Sequence, residues 1–175
     1  MQNTLKTASG DNLHHLGIAS TAPSDRLRVL LIDENQLLLD SIHHWLSLTN
    51  TVNIVGKVVS AVSALSMWES LKPDVIILGV PYTTEASAAS ANYVQAIKAL
   101  DTDVRVILLA WDLPAMNRES LTKFMALVDA WMLKQTVCED LLPVLAMLFP
   151  NRVRLHDRLA HRTTFLATEE GLPPL

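Results

Sequence analysis

The feature that most limits the folds open to this chain is a regular alternation of short apolar runs with longer segments of helical spacing. Leu27 to Ile32 reads LRVLLI, a branched, apolar run that suits a buried strand. Gln36 to Leu48 follows, with Leu38, Ile42, Trp45 and Leu46 at helical spacing. Val52 to Val55 predicts a second strand, and Ala61 to Leu71 a helix that Lys72-Pro73 stops. Asp74 to Leu78 (DVIIL) predicts a third strand. The stretch from Gly79 to Ser90 is polar and small, and reads as a loop before a helix at Ala91 to Leu100. Val104 to Leu109 is a fourth strand, Pro114 to Leu127 a helix with Pro114 near its first turn, and Ala130 to Leu133 a fifth strand. Val137 to Phe149 is a last helix, ended by Pro150. Strands alternating with helices imply parallel pairing through right-handed crossovers. The expected fold class is α/β, a doubly wound sheet of five strands.

Composition bears on what such a sheet can do. Half of the residues are hydrophobic, enough for a sizeable core without staples, and 18% are charged against about a quarter in ordinary domains. The net charge of -4 gives no support to nucleic-acid binding by the whole domain. The single cysteine, Cys138, excludes an internal disulfide framework and a cysteine-based zinc site. No apolar run reaches membrane-spanning length, and residues 1–25 carry no signal-peptide core, so a cytoplasmic protein without membrane contact is expected. Residues 1–25 read as a leader, 26–150 as the domain and 151–175 as a basic tail. His14 and His15 in the leader, and His43 and His44 in the first helix, read as solvated side chains and not as a metal site.

Five segments in order carry a family resemblance: LRVLLIDENQLLL, VNIVGKVV, LKPDVIILG, DVRVILLA and AWMLKQ before a helix. Over Leu27 to Leu148 the chain resembles the receiver domains of bacterial response regulators, CheY-like domains of the NarL/FixJ type. The resemblance implies strand order 2-1-3-4-5 and a site at the carboxyl ends of the strands. It implies five chemical parts there: two acids for Mg²⁺, a nucleophilic aspartate after strand three, a Ser or Thr after strand four and a Lys after strand five.

Measured against that pattern, Asp33 and Glu34 match the acidic pair and Lys134 the lysine. Gly79 stands at the nucleophile position and Ala110 at the hydroxyl position, and neither side chain offers an oxygen. Pro81 follows Gly79 by two residues, where the family has its proline four residues on. The expectation is a degenerate receiver, a pseudo-receiver without a phosphorylation cycle. Tyr82, Thr83, Thr84 and Glu85 lie just beyond Gly79, and Asp74 sits about 15 Å away at the far end of the strand, so none is expected to substitute. Asp33, Glu34 and Lys134 are read as a vestigial pocket, with Asp33 and Lys134 as a structural ion pair. No cofactor is expected beyond weak Mg²⁺ at the acids. Trp131 matches the family's switch aromatic and here reads as a fixed wedge or a contact surface, with Trp111 near the same face.

In the last helix, Val137, Leu141, Leu145 and Leu148 supply one stripe for the sheet. Leu142, Val144, Met147 and Phe149 widen the apolar surface beyond it. Leu142, Met147 and Phe149, with Leu121 and Met125 of the preceding helix, are therefore expected to form a homodimer interface. Arg154, Arg158 and Arg162 recur at i, i+4 in the tail, a short basic amphipathic pattern too brief for a helix-turn-helix output domain. The expected function is a phosphorylation-independent, non-enzymatic regulatory interaction module with protein partners. Two rival readings stay open: a transcription-related regulator that binds nucleic acid through the tail, and a small-molecule sensor using the vestigial pocket.

Overall fold

The computed structural model describes residues 26–81, 83–114 and 116–153. In chain order the elements are β1 (Leu27–Ile32), α1 (Gln36–Ser47), β2 (Val52–Val58), α2 (Ala61–Ser66), α3 (Trp68–Leu71), β3 (Val75–Gly79), α4 (Thr84–Leu100), β4 (Arg105–Ala110), α5 (Arg118–Met125), β5 (Ala130–Leu133) and α6 (Val137–Leu148). All five strands pair in parallel in the order β2-β1-β3-β4-β5. This is the doubly wound sheet that the alternation predicts.

The period of two along each strand divides the core between the sheet's faces. Leu27, Val29 and Leu31 of β1 join Val75, Ile77, Ile107 and Leu109 in one cluster with α1 and α6. Leu30 and Ile32 join Ile76, Leu78, Val106 and Leu108 in the other, with α2 to α5. β1 and β3 are buried along nearly their whole length, which explains why they read as continuous apolar runs. β2 carries one extra residue at Val55, where the register with β1 slips between Val29 and Leu30.

Helix ends follow local chemistry. The Asn35 side chain accepts from the Leu38 amide at 3.2 Å and starts α1, and Asn117 does the same for α5 through the Ser120 amide at 2.9 Å. The helix expected over Pro114 to Leu127 is correspondingly shorter. The helix expected over Ala61 to Leu71 is broken at Met67 into α2 and α3. Lys72 ends α3 with φ 35, the left-handed region that favours glycine. Its side chain is exposed, so Lys72→Gly is expected to raise stability by about 0.5–1 kcal/mol, read by urea denaturation.

The largest departure concerns residues 84–90, expected as loop and found as the first two turns of α4. Thr83 caps the helix by accepting from the Ala86 amide, and Ser90 returns its hydroxyl to the Ala86 carbonyl at 2.9 Å. Alanines are strong helix formers, but they supply none of the large apolar side chains that reveal a helical period.

The last helix also differs. Leu142, expected at an interface, is 8% exposed and belongs to the cluster formed with α1 and Val153, and Val144 is fully buried there. Phe149 is half-buried against the same cluster. Leu142 and Val144 thus pack on the chain's own α1 and the return after the helix, while Met147 of the same stripe stays exposed. That return is pinned by Arg152, which pairs with Asp74 at 2.9 Å and donates to the Arg26 carbonyl at 2.8 Å. Asp74 in turn accepts from the Arg28 amide at 2.7 Å, at the amino end of the sheet.

Candidate functional site

The carboxyl ends of β1, β3, β4 and β5 bring Asp33, Gly79, Ala110 and Lys134 to one end of the sheet. Asp33 follows β1 directly and its amide donates to the Val58 carbonyl at the end of β2. One carboxylate oxygen, Oδ1, accepts from the Asn35 amide at 2.8 Å, so the residue that caps α1 also holds Asp33. The other, Oδ2, lies 2.7 Å from Lys134 Nζ, and the two side chains are 1% and 3% exposed.

This contact is Coulombic rather than a directed hydrogen bond, because among the described residues no donor meets Oδ2 at a good angle. A buried lysine and a buried carboxylate are each costly alone, and the pair neutralises both. Lys134 is placed by the tight turn over Lys134–Thr136 that joins β5 to α6. The Trp111 ring lies over it, its centroid 5.8 Å from Nζ, within cation–π range.

Gly79 makes this pairing possible. A Cβ at Gly79 would fall inside the van der Waals envelope of the Asp33 carboxylate, so any side chain there forces Asp33 to move. The next amide, of Val80, donates to the Leu109 carbonyl at 2.8 Å and keeps the strand end fixed. Ala110 is buried at the end of β4. At the carboxyl ends of β3 and β4, therefore, neither last residue carries a side-chain oxygen.

The donor set for Mg²⁺ is poor here. Asp33 is committed to Lys134 and the Asn35 amide, which leaves, among the described residues, the exposed Glu34 as the uncommitted acid beside it. Among the described residues no three metal-ligating side chains gather at one place.

Of the other residues singled out in the sequence, Trp131 is half-buried against the core on the α2 to α5 side. Leu121 and Met125 of α5 are half-buried, and Met147 of α6 is exposed. Asp74 lies at the opposite end of β3 from Gly79. Tyr82, the leader histidines and Arg154, Arg158 and Arg162 fall outside the described residues. Among the described residues no helix is long and apolar enough to cross a membrane.

Reading the sequence alone misses Tyr93 of α4. Its side chain is buried, its hydroxyl has no hydrogen-bond partner among the described residues, and burial pushes the phenol above its ordinary pKa. It lines a cleft of about 480 Å³ between α2 and α4, whose upper end reaches Asp33, Glu34 and Gly79. A tyrosine within a helical run gives no hint of such a place until the start of α4 is known.

No protein-family model matches the chain. The chain is similar to a nitrate/nitrite response regulator protein homolog of Haemophilus influenzae, 26% identical over 135 residues, or 77% of this chain. It spans 62% of that curated relative's length. In three dimensions it is similar to the isolated receiver domain of RcsB from Salmonella enterica serovar Typhimurium, solved with the phosphomimetic BeF3-. The TM-score is 0.60 at 20% identity, over 77% of this chain and 96% of that one. It is similar also to the signal receiver domain of the putative response regulator NarL from Mycobacterium tuberculosis, with a TM-score of 0.57 at 20% identity, over 73% and 98%. With its parallel sheet in the order β2-β1-β3-β4-β5, the chain has the fold of a response-regulator receiver domain.

Proposed function

We propose that this chain is a pseudo-receiver of the response-regulator family, one that regulates through protein contacts without phosphotransfer. The observation that carries the reading is the Asp33–Lys134 pair, closed over Gly79. Phosphotransfer to a receiver needs a carboxylate at the end of β3 to attack phosphorus, and free acids to hold the metal. Here the end of β3 offers only a glycine, and the acid that would serve the metal is locked to the lysine. The arrangement serves a fixed fold better than a reaction.

The surface for partners is the side where β5 forms the sheet edge, flanked by α5 and α6. Leu133 of β5 and Met147 of α6 are exposed, and Leu121 and Met125 of α5 are half-buried. Apolar side chains on the rim of an edge strand suit association with a second copy or another protein. The regulatory output of this reading is then set by who binds that side, not by a phosphoryl group.

Incubation with acetyl phosphate and Mg²⁺ is expected to leave the intact mass unchanged. A stoichiometric gain of one phosphoryl group, mapped to any acid at the strand ends, overturns the proposal. Gly79→Asp alone is expected to gain no stable phosphorylation, because the new side chain meets the Asp33 carboxylate and Ala110 still lacks a hydroxyl.

A further inference from the structure

The cleft between α2 and α4 is an open, largely apolar groove with a definite direction. Ile32 of β1 and Leu78 of β3 lie at its base, so it runs above two neighbouring strands. α4 leads from the carboxyl end of β3 back toward the start of β4. That sets Ala86 at the end of the groove near Glu34 and Ala96 toward the amino end of the sheet. The wall between those two alanines is about 15 Å long at 1.5 Å per residue. On the α2 side, Val59 and Val62 are 54% and 77% exposed. Large apolar side chains beside a trough of small ones favour a segment that covers them.

The course of the chain points to which segment that is. The described residues start at Arg26, directly before β1, the strand whose last residue floors the groove. A chain that turns onto the α2 and α4 side there meets the groove at its Ala96 end. Residues 19–25 cover about 23 Å when extended, more than the length of β1 at about 20 Å. Residues 13–18, just before them, read LHHLGI and gather Leu13, Leu16 and Ile18, the closest-set large apolar residues before Arg26. Extended, those six residues span about 17 Å, close to the length of the α4 wall. In that conformation Leu16 and Ile18 fall on one side, and Gly17 between them weakens a helix as the alternative.

The other end of the chain fits less well. Val153 is buried in the cluster on the α1 and α6 face, so the tail begins on the opposite side of the sheet. Its adjacent Phe165 and Leu166 are followed by Glu169 and Glu170, of the same sign as Glu34 at the groove's rim. Residues 12–24 contain no acid and carry His14 and His15. We infer that residues 13–18 of the same chain lie in the groove as an extended strap, with Leu16 and Ile18 between Val62 and the alanines of α4. A partner with an apolar segment then reaches this face only by displacing the strap. The inference goes beyond the pseudo-receiver reading and depends neither on the Asp33–Lys134 pair nor on the surface at β5.

The test uses the full chain and methyl NMR. Cross-relaxation is expected from the Leu16 and Ile18 methyls to those of Val59, Val62 and Ala89. Mixing labelled with unlabelled copies is expected to show that these contacts form within one chain. Leu16→Asp/Ile18→Asp is expected to remove them and to speed amide exchange in α2 about tenfold. Circular dichroism is expected to stay unchanged, since both positions lie outside the described domain. A synthetic peptide of residues 11–20 is expected to shift the Val59, Val62 and Ala89 methyls of that variant. On the wild-type chain, where the tethered copy competes, the same peptide is expected to bind about tenfold more weakly or worse. The inference is overturned if Leu16 and Ile18 make no contact with the groove, or if a second copy or the tail supplies the contacts. It is equally overturned if the double variant alters neither the groove methyls nor the exchange of α2. The phosphodonor experiment reads the pseudo-receiver proposal separately, so either can fail without the other.

Discussion

Replacing Lys134 by alanine lowers the unfolding free energy by about 3–5 kcal/mol, a large part of the 5–15 kcal/mol that holds an ordinary domain together. The loss comes less from the missing attraction than from what remains. Asp33 stays behind with 1% of its side chain exposed, and among the described residues no other ion pair reaches Oδ2. The companion variant Asp33→Asn/Lys134→Met removes both charges, keeps an acceptor for the Asn35 amide and fills the lysine's volume, so most of the stability returns. Urea denaturation of the two variants and wild type decides the matter. A cost below about 1 kcal/mol for Lys134→Ala means that the pair is screened by water and does not brace the site.

Leu142→Glu is expected to unfold the chain or cost about 4 kcal/mol or more, because it puts a carboxylate into the cluster shared by α1, α6 and Val153. Met147→Glu, five residues on and exposed, is expected to leave stability within about 0.5 kcal/mol. If the surface at β5 carries a homodimer, the second variant shifts the chain to monomer in light scattering while the first loses its circular dichroism. A folded, well-behaved Leu142→Glu chain refutes the packing of α6 described above. A Met147→Glu chain that stays as associated as wild type moves the contact surface away from α6.

These two residues show what periodicity alone misses. A second apolar stripe on α6 is equally consistent with a partner and with the chain's own α1, because burial depends on a neighbour that lies far away in sequence. Leu142 went to the latter and Met147 stayed open. The strands were readable because β1, β3 and β4 are buried on both faces and concentrate branched residues. The start of α4 was not, since alanine and serine form its first two turns without an apolar period. That one misplacement also hid the cleft, whose wall is made of those small residues. At the site, Asp33, Gly79 and Lys134 could be named from a segment pattern. The intimacy of the Asp33 carboxylate with the Gly79 backbone could not, because it depends on two strand ends meeting.

The Arg152 clasp has a topological consequence. With its guanidinium on both Asp74 and the Arg26 carbonyl, Arg152 brings the end of the described chain to its first described residue at the amino end of the sheet. The described chain is thereby almost a ring, and the order of elements around that ring defines the fold more than the place where it is cut. Glu34, Gly79 and the Asp33–Lys134 pair sit at the opposite pole, a strand's length of about 20 Å away. Residues 26 and 152 therefore share one patch of the surface. A fluorophore or fusion placed there is insulated from events at the acidic pole, while two such attachments report on each other.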